Sequence, residues 1–256
     1  MELNAFKTLL KMDQKNLKKT CLLYLINKNY DVKIGDGYVY GEGDIPVMLI
    51  AHLDTVHKTQ PEEIYFDEKE TTLWSPQGIG GDDRCGVYSI MEILKTHKPH
   101  VLFVEDEEIG SVGTRKAINK LIMPDVMFLI ELDRRGTKDC VFYDCNNKDF
   151  KNYISSFGFE ENYGTFTDIV VLSQRWKIAS VNLSIGYNRE HTLAETININ
   201  AMQKTIDKVK NILDDVVKEP EYYEYMPYEY KYSKYEYQTC LSPEEKEEEI
   251  IDEIQI

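Results

Sequence analysis

Over the first 28 positions, apolar residues recur at helical intervals: Phe6, Leu9, Leu10, Leu17, Cys21, Leu22, Leu25 and Ile26. This spacing predicts one or two amphipathic helices at the start of the chain. The period then changes. DVKIGDGYVYGEG (31–43) reads as a hairpin turning at Gly35-Asp36-Gly37. Three segments, PVMLIAHLD (46–54), HVLFVED (100–106) and VMFLIELD (126–133), are continuous apolar runs that end in polar residues. Such runs predict strands buried on both faces. IASVNLSIG (178–186) adds another strand, and helices are predicted over 86–95, 113–121, 149–156 and 201–217. Strands interleaved with helices predict an α/β fold, a three-layer sandwich around a mostly parallel central sheet. No internal repeat is visible.

The 256 residues are 42% hydrophobic and 29% charged, with a net charge of −15. That hydrophobic share predicts a folded globular chain. The charge is uneven. Residues 219–256 hold 12 acidic and 3 basic residues, a net −9, which leaves −15 + 9 = −6 for residues 1–218. The chain therefore divides into one body domain, 1–218, and a tyrosine-rich acidic tail, 219–256. The tail has few aliphatic residues to bury and reads as flexible or ordered by a partner, although its tyrosines could instead add an edge strand. No basic face for phosphate is present, which argues against a nucleic-acid partner. No run of 18 apolar residues exists, so no membrane span is expected. Met1-Glu2-Leu3-Asn4 lacks a basic stretch followed by an apolar run, so secretion by a signal peptide is not expected. The five cysteines, an odd number with no CxxC pair, fit reduced thiols and a cytoplasmic location.

Residues suited to metals fall where the strands end. His52 and Asp54 follow the first apolar run, Glu107 and Glu108 the second, and Asp133 closes the third. Open α/β sheets gather their sites at the carboxyl ends of strands, so these groups are expected to converge. GIGGDDRCG (78–86) adds Asp82 and Asp83 on a glycine-rich turn, and YNREHT (187–192) adds His191. Singly, each has a plainer explanation: a histidine bonded to a carboxylate, a solvated loop, a turn. Their shared place at strand ends favours a metal centre. Two imidazoles with several carboxylates suit Zn²⁺ and tolerate Mn²⁺ or Co²⁺.

In order, AHLDTV, GGDDRCG, EDEEIGSVG, ELD and EHT resemble the co-catalytic di-zinc exopeptidases, the superfamily of peptidase T, the aminoacylases and the glutamyl-aminopeptidase group. The resemblance implies two divalent metal ions. His52 and Asp133 would hold one, Glu108 and His191 the other, and Asp82 would bridge them. It further implies that Asp54 orients His52, that Glu107 is the general base, and that a cis peptide follows Asp82. The implied reaction is hydrolysis of a peptide or related amide by a water activated between the metals. Lidded relatives insert a domain between the last two motifs, but here only 191 − 133 = 58 residues separate them. A lidless single domain is therefore expected, whose substrate contacts come from its own loops or from a second subunit of a homo-oligomer.

The resemblance of DDRCG favours an aminopeptidase acting on peptides. The alternative is a carboxypeptidase or a deacylase of N-acyl amino acids. For that reading Arg134, Arg135 and Arg189 would supply a cation for a terminal carboxylate, although their plainer role is to neutralise surrounding acids. A non-hydrolytic metal-binding module, with the tail recruiting a partner, is a further alternative. Asp168, in GTFTDIVVL at a turn, is a candidate contact for a substrate amine. Cys85 is expected to face the core, Cys140 and Cys145 to sit on a strand and its flank, His57, His97 and His100 in loops or at strand ends, and Trp176 to pack on the surface.

Overall fold

The computed structural model describes residues 2–228. In chain order the elements are α1 (Leu3–Leu10), α2 (Gln14–Asn27), β1 (Asp31–Gly35), β2 (Tyr38–Glu42), β3 (Ile45–His52), β4 (Tyr65–Asp67), β5 (Thr72–Trp74), α3 (Gly81–Ile93), β6 (Pro99–Val104), α4 (Val112–Lys120), β7 (Phe128–Arg134), β8 (Asp139–Val141), α5 (Lys148–Ser156), β9 (Glu160–Glu161), α6 (Asp168–Trp176), β10 (Ser180–Ser184), β11 (Tyr187–Asn188), β12 (Thr196–Asn198) and α7 (Ile199–Lys218).

Eight strands form the main sheet in the order β1-β2-β6-β3-β7-β10-β8-β9. Its centre, β6, β3, β7 and β10, is parallel throughout. The β1–β2 hairpin pairs antiparallel on one side and β8 antiparallel on the other. The apolar runs are buried on both faces, as expected, because helices cover both. Val47, Leu49 and Ala51 of β3 belong to the larger core with α1, α2, α3, α5 and α7. Met48 and Ile50, their alternate neighbours, belong to the smaller core under α4 and α6. This is the three-layer sandwich read from the sequence. A second sheet, β11-β12-β5-β4, has strands of only two or three residues and lies beyond that reading.

Trp176 differs from its expectation. It is buried in the smaller core with Ile169 and Leu172, because α6 turns that face toward the sheet. Residues 219–228 lie against the body. Glu224 bridges Ile178 and Pro227 bridges Cys145, both antiparallel. The ring of Tyr223 is 5.1 Å from that of Phe150 and 5.5 Å from that of Tyr153. The packed body thus continues past residue 218. The expectation for residues 229–256 lies outside the described residues. No described helix is long and apolar enough to cross a membrane.

Candidate metal centre

The parallel strands deliver their terminal residues to one edge of the sheet. His52 is the last residue of β3, Asp133 lies one residue from the end of β7, Glu107 and Glu108 follow β6, and His191 follows β11. Asp82 arrives on the first turn of α3. Here the Asp82–Asp83 peptide is cis, as the resemblance implied, and regular helix begins after Asp83. Gly86 lets α3 lie close on β7, since a Cβ there would stand 2.3 Å from the carbonyl oxygen of Leu132.

The donors divide into two groups that share Asp82. His52 Nε2 is 2.9 Å from Asp82 Oδ1 and 3.5 Å from Asp133 Oδ1. His191 Nε2 is 3.2 Å from Asp82 Oδ2 and 3.0 Å from Glu108 Oε2. Around a tetrahedral ion with bonds of about 2.1 Å, neighbouring donors stand roughly 3.4 Å apart, so both groups are close to that spacing. His52 is 1% exposed in its side chain and His191 52%, so one group is deep and the other faces the cleft mouth.

The electrostatics call for cations. Among the described residues no lysine or arginine forms an ion pair with Asp82, Glu107, Glu108 or Asp133. Burial and the neighbouring acids push Glu107 up to about 9. Burial and Asp82 push Glu108 up to about 7 and Asp133 up to about 6. The hydrogen bond to Asp82, with Glu108 alongside, raises His191 to about 9. Burial opposes charge on His52, but Asp133, Asp54 and Asp82 outweigh it and raise its pKa. Burial likewise opposes charge on Asp82, yet the two imidazoles hold it below the usual carboxylate range. Oε1 of Glu108 is buried without a partner. Divalent cations fit this set of unpaired acids and imidazoles.

Supporting bonds fix the donors. Asp54 accepts His52 Nδ1–H at 3.2 Å and the backbone amides of Glu107 and Glu108 at 3.0 and 3.1 Å. Tyr187 Oη donates to Asp133 at 3.0 Å, and Asn182 Oδ1 accepts the amide of Asp133. The cleft itself, about 160 Å³, is lined by Asp82, Glu107, Glu108, Asp133, His191 and Arg134 among others. A larger cavity of about 340 Å³ adjoins it along Tyr143, Gly164 and Thr165.

No family model matches the chain, and no curated protein matches it. Solved structures do. Aminopeptidase PepT from Bacillus cereus matches over 84% of this chain and 98% of its own, with a TM-score of 0.68 and 14% identity. A tripeptidase from Staphylococcus aureus matches over 85% and 98%, with a TM-score of 0.70 and 14% identity. The TET1 peptidase of Pyrococcus horikoshii, which can assemble into a tetrahedron or a large octahedral shell, matches over 78% and 94%, with a TM-score of 0.56 and 14% identity. The chain has the zinc-exopeptidase fold.

Within that fold several supporting residues escaped the sequence reading. Glu195, 1% exposed, accepts the amides of Gly80 and Asp82 at 2.9 and 3.0 Å and so holds the turn that presents Asp82. Arg84, also buried, donates to the carbonyl oxygens of Asp54 and Met12. Thr167 donates to Glu131. Glu195 stands four residues past His191, its one sequence signal. Asp168, the expected amine contact, is not among the residues that line the cleft, and neither of its carboxylate oxygens has a partner among the described residues. It is fully buried at the start of α6, where burial raises its carboxyl while Thr114 and Ser111 work the other way. Cys85 faces the core, as expected. Arg135 pairs with Glu190 at 2.8 Å, which agrees with a neutralising role. Arg134 forms no such pair among the described residues.

Proposed function

We propose that this chain is a di-metal hydrolase of peptide bonds, an aminopeptidase, with His52, Asp82, Asp133, Glu108 and His191 as metal ligands. The observation that carries this is the sharing of Asp82: each of its oxygens faces a different imidazole. Two divalent ions, Zn²⁺ before Mn²⁺ or Co²⁺, would supply an acidified water and a polarised scissile carbonyl. Everything else falls to the chain. Glu107 lines the cleft and has no counter-ion among the described residues; beside bound cations its raised carboxyl would ionise, and the carboxylate would take the water's proton and hand it to the leaving amine. Asp54 holds His52 in one orientation through Nδ1. Glu190 lines the same cleft with Oε1 paired to Arg135 and Oε2 buried and unpartnered, which leaves one oxygen suited to accept a free α-ammonium. That favours reading the amino end. The likeness to TET1 and the exposed apolar residues Ile109 and Leu193 support a homo-oligomer, which light scattering would measure.

The test is turnover of a panel by protein first chelated and then supplied with Zn²⁺, Mn²⁺ or Co²⁺. The panel holds a free-amine dipeptide and tripeptide, an N-acetylated amino acid and an N-blocked peptide. Cleavage of the free-amine peptides alone is expected, reduced by roughly 10²- to 10⁴-fold in Glu107→Gln at unchanged metal content. Cleavage of the blocked substrates would shift the reading to a carboxypeptidase or deacylase. Loaded protein that cleaves nothing would favour the binding-module alternative.

A further inference from the structure

Arg134 follows Asp133 directly and lines the same cleft as Glu107, Glu108 and His191. Its guanidinium is not neutralised. Among the described residues it has no carboxylate within ion-pair distance, in contrast to Arg135, which is paired with Glu190. One donor is used, Nη2 to the carbonyl oxygen of Tyr163 at 2.9 Å. Nε is out of solvent and has no partner at all. A buried donor left without a partner costs free energy, and more so when it carries charge. A cation held in this condition beside a reaction centre is prepared for an anion that comes with the substrate.

The shape of the donor selects the anion. Guanidinium presents parallel N–H groups that match the two oxygens of a carboxylate. The position selects the distance. Arg134 shares one cleft of about 160 Å³ with the donors and an extended peptide advances at most about 3.6 Å per residue, so a group bound by it lies close to the scissile bond. The fold leaves substrate recognition to groups of this kind, because only 58 residues separate Asp133 from His191 and these are spent on β8 to β11, α5 and α6. No inserted domain is present there to read the far end of a substrate.

We infer that Arg134 is the specificity residue of this site and binds a substrate carboxylate close to the scissile bond. This rests on the hydrolase reading above. The carboxylate can be the C-terminus of a very short peptide or the side chain of an aspartyl or glutamyl residue. The simpler alternative is that Arg134 only secures the 162–164 loop through Tyr163.

The experiment compares matched substrates on the metal-loaded enzyme and on Arg134→Gln and Arg134→Lys. One pair is a neutral dipeptide and its C-terminal amide, and the other is a glutamyl and a glutaminyl dipeptide amide. The expected result is a preference for the carboxylate member of one pair, which names the source. Arg134→Gln should lower kcat/KM for that member roughly a hundredfold and leave its uncharged partner within a few-fold. Arg134→Lys, with charge but no fork, should fall between. A loop-securing role would lower both members equally and overturn the inference, as would a wild-type enzyme with no carboxylate preference. A second readout is independent of turnover: calorimetric binding of the same pairs to Glu107→Gln and to Glu107→Gln/Arg134→Gln. If no peptide is hydrolysed, the function above fails while this binding comparison still decides the role of Arg134.

Discussion

Asp54 accepts the backbone amide of Glu107 at 3.0 Å, although 53 residues separate them. The same oxygen stands 3.2 Å from His52 Nδ1, and the other accepts the amide of Glu108. One carboxylate therefore joins the end of β3 to the loop after β6. It sets both the ring angle of the deepest donor and the position of the loop that carries Glu107.

Replacing Asp54 by Asn should accordingly act on both. The amide has one acceptor oxygen in place of two, and its NH₂ opposes a backbone N–H. Metal affinity should fall roughly 10- to 100-fold. Competition with a chromogenic chelator measures it, and an unchanged affinity would remove Asp54 from the metal centre.

Asp82 and Asp133 make a sharper pair. If Asp82 serves both ions and Asp133 only the one at His52, Asp82→Asn should empty both positions and Asp133→Asn only one. Elemental analysis after dialysis against a weak chelator counts them. Equal losses in the two variants would contradict the sharing of Asp82.

The core strands and the donors that follow them were legible because each rests on a local signal. β3, β6 and β7 are continuous apolar runs since helices cover both sides of the sheet, and His52, Glu108 and Asp133 stand immediately after or within them. Glu195 and Arg84 were not legible. Each acts through backbone atoms distant in sequence, 115 and 113 residues away for Glu195, and such a bond leaves no periodicity. The burial of Asp168 was not legible either, because a turn and the first residue of a buried helix look alike in composition. Trp176 was misread because the charged neighbours Arg175 and Lys177 hide a residue that faces inward.

Metal binding should release protons. His191 is raised to about 9 by its bond to Asp82, so at pH 7 the metal-free imidazole carries a proton that a cation must displace. Glu108, pushed up to about 7 by burial, is protonated in part. Apparent affinity should therefore climb from pH 6 to pH 9. Titration calorimetry in two buffers of different ionisation enthalpy gives the proton count directly. A binding heat that does not depend on the buffer would refute it.

Tyr223 tests where the packed body ends. It is 6% exposed, and its ring lies against Phe128, Phe150 and Tyr153. Tyr223→Ala should cost roughly 2–4 kcal/mol in denaturant unfolding, as large-to-small changes in cores do. Glu219→Ala, at the exposed start of the same segment, should change little. Comparable small effects from both would mean that residues 219–228 add nothing to the body.

A pH effect on stability is expected far from the metals. His100, near the start of β6, shares a hydrogen bond of 2.7 Å between its Nδ1 and Tyr40 Oη and is 8% exposed. Burial lowers its pKa from the ordinary 6.5, against the weaker pull of Glu42, Asp125 and Asp44. Between the folded value and 6.5 the unfolded chain binds more protons than the folded one, so stability rises with pH across that window. The contribution of a neutral His100 is complete above pH 6.5 and is lost as the pH falls toward the folded value. Unfolding free energies at pH 5.0, 6.0 and 7.5, taken as wild type minus His100→Gln, cancel the titrations shared by both proteins. That difference should shrink on acidification, and one that grew would mean the histidine is stabilised in its charged form.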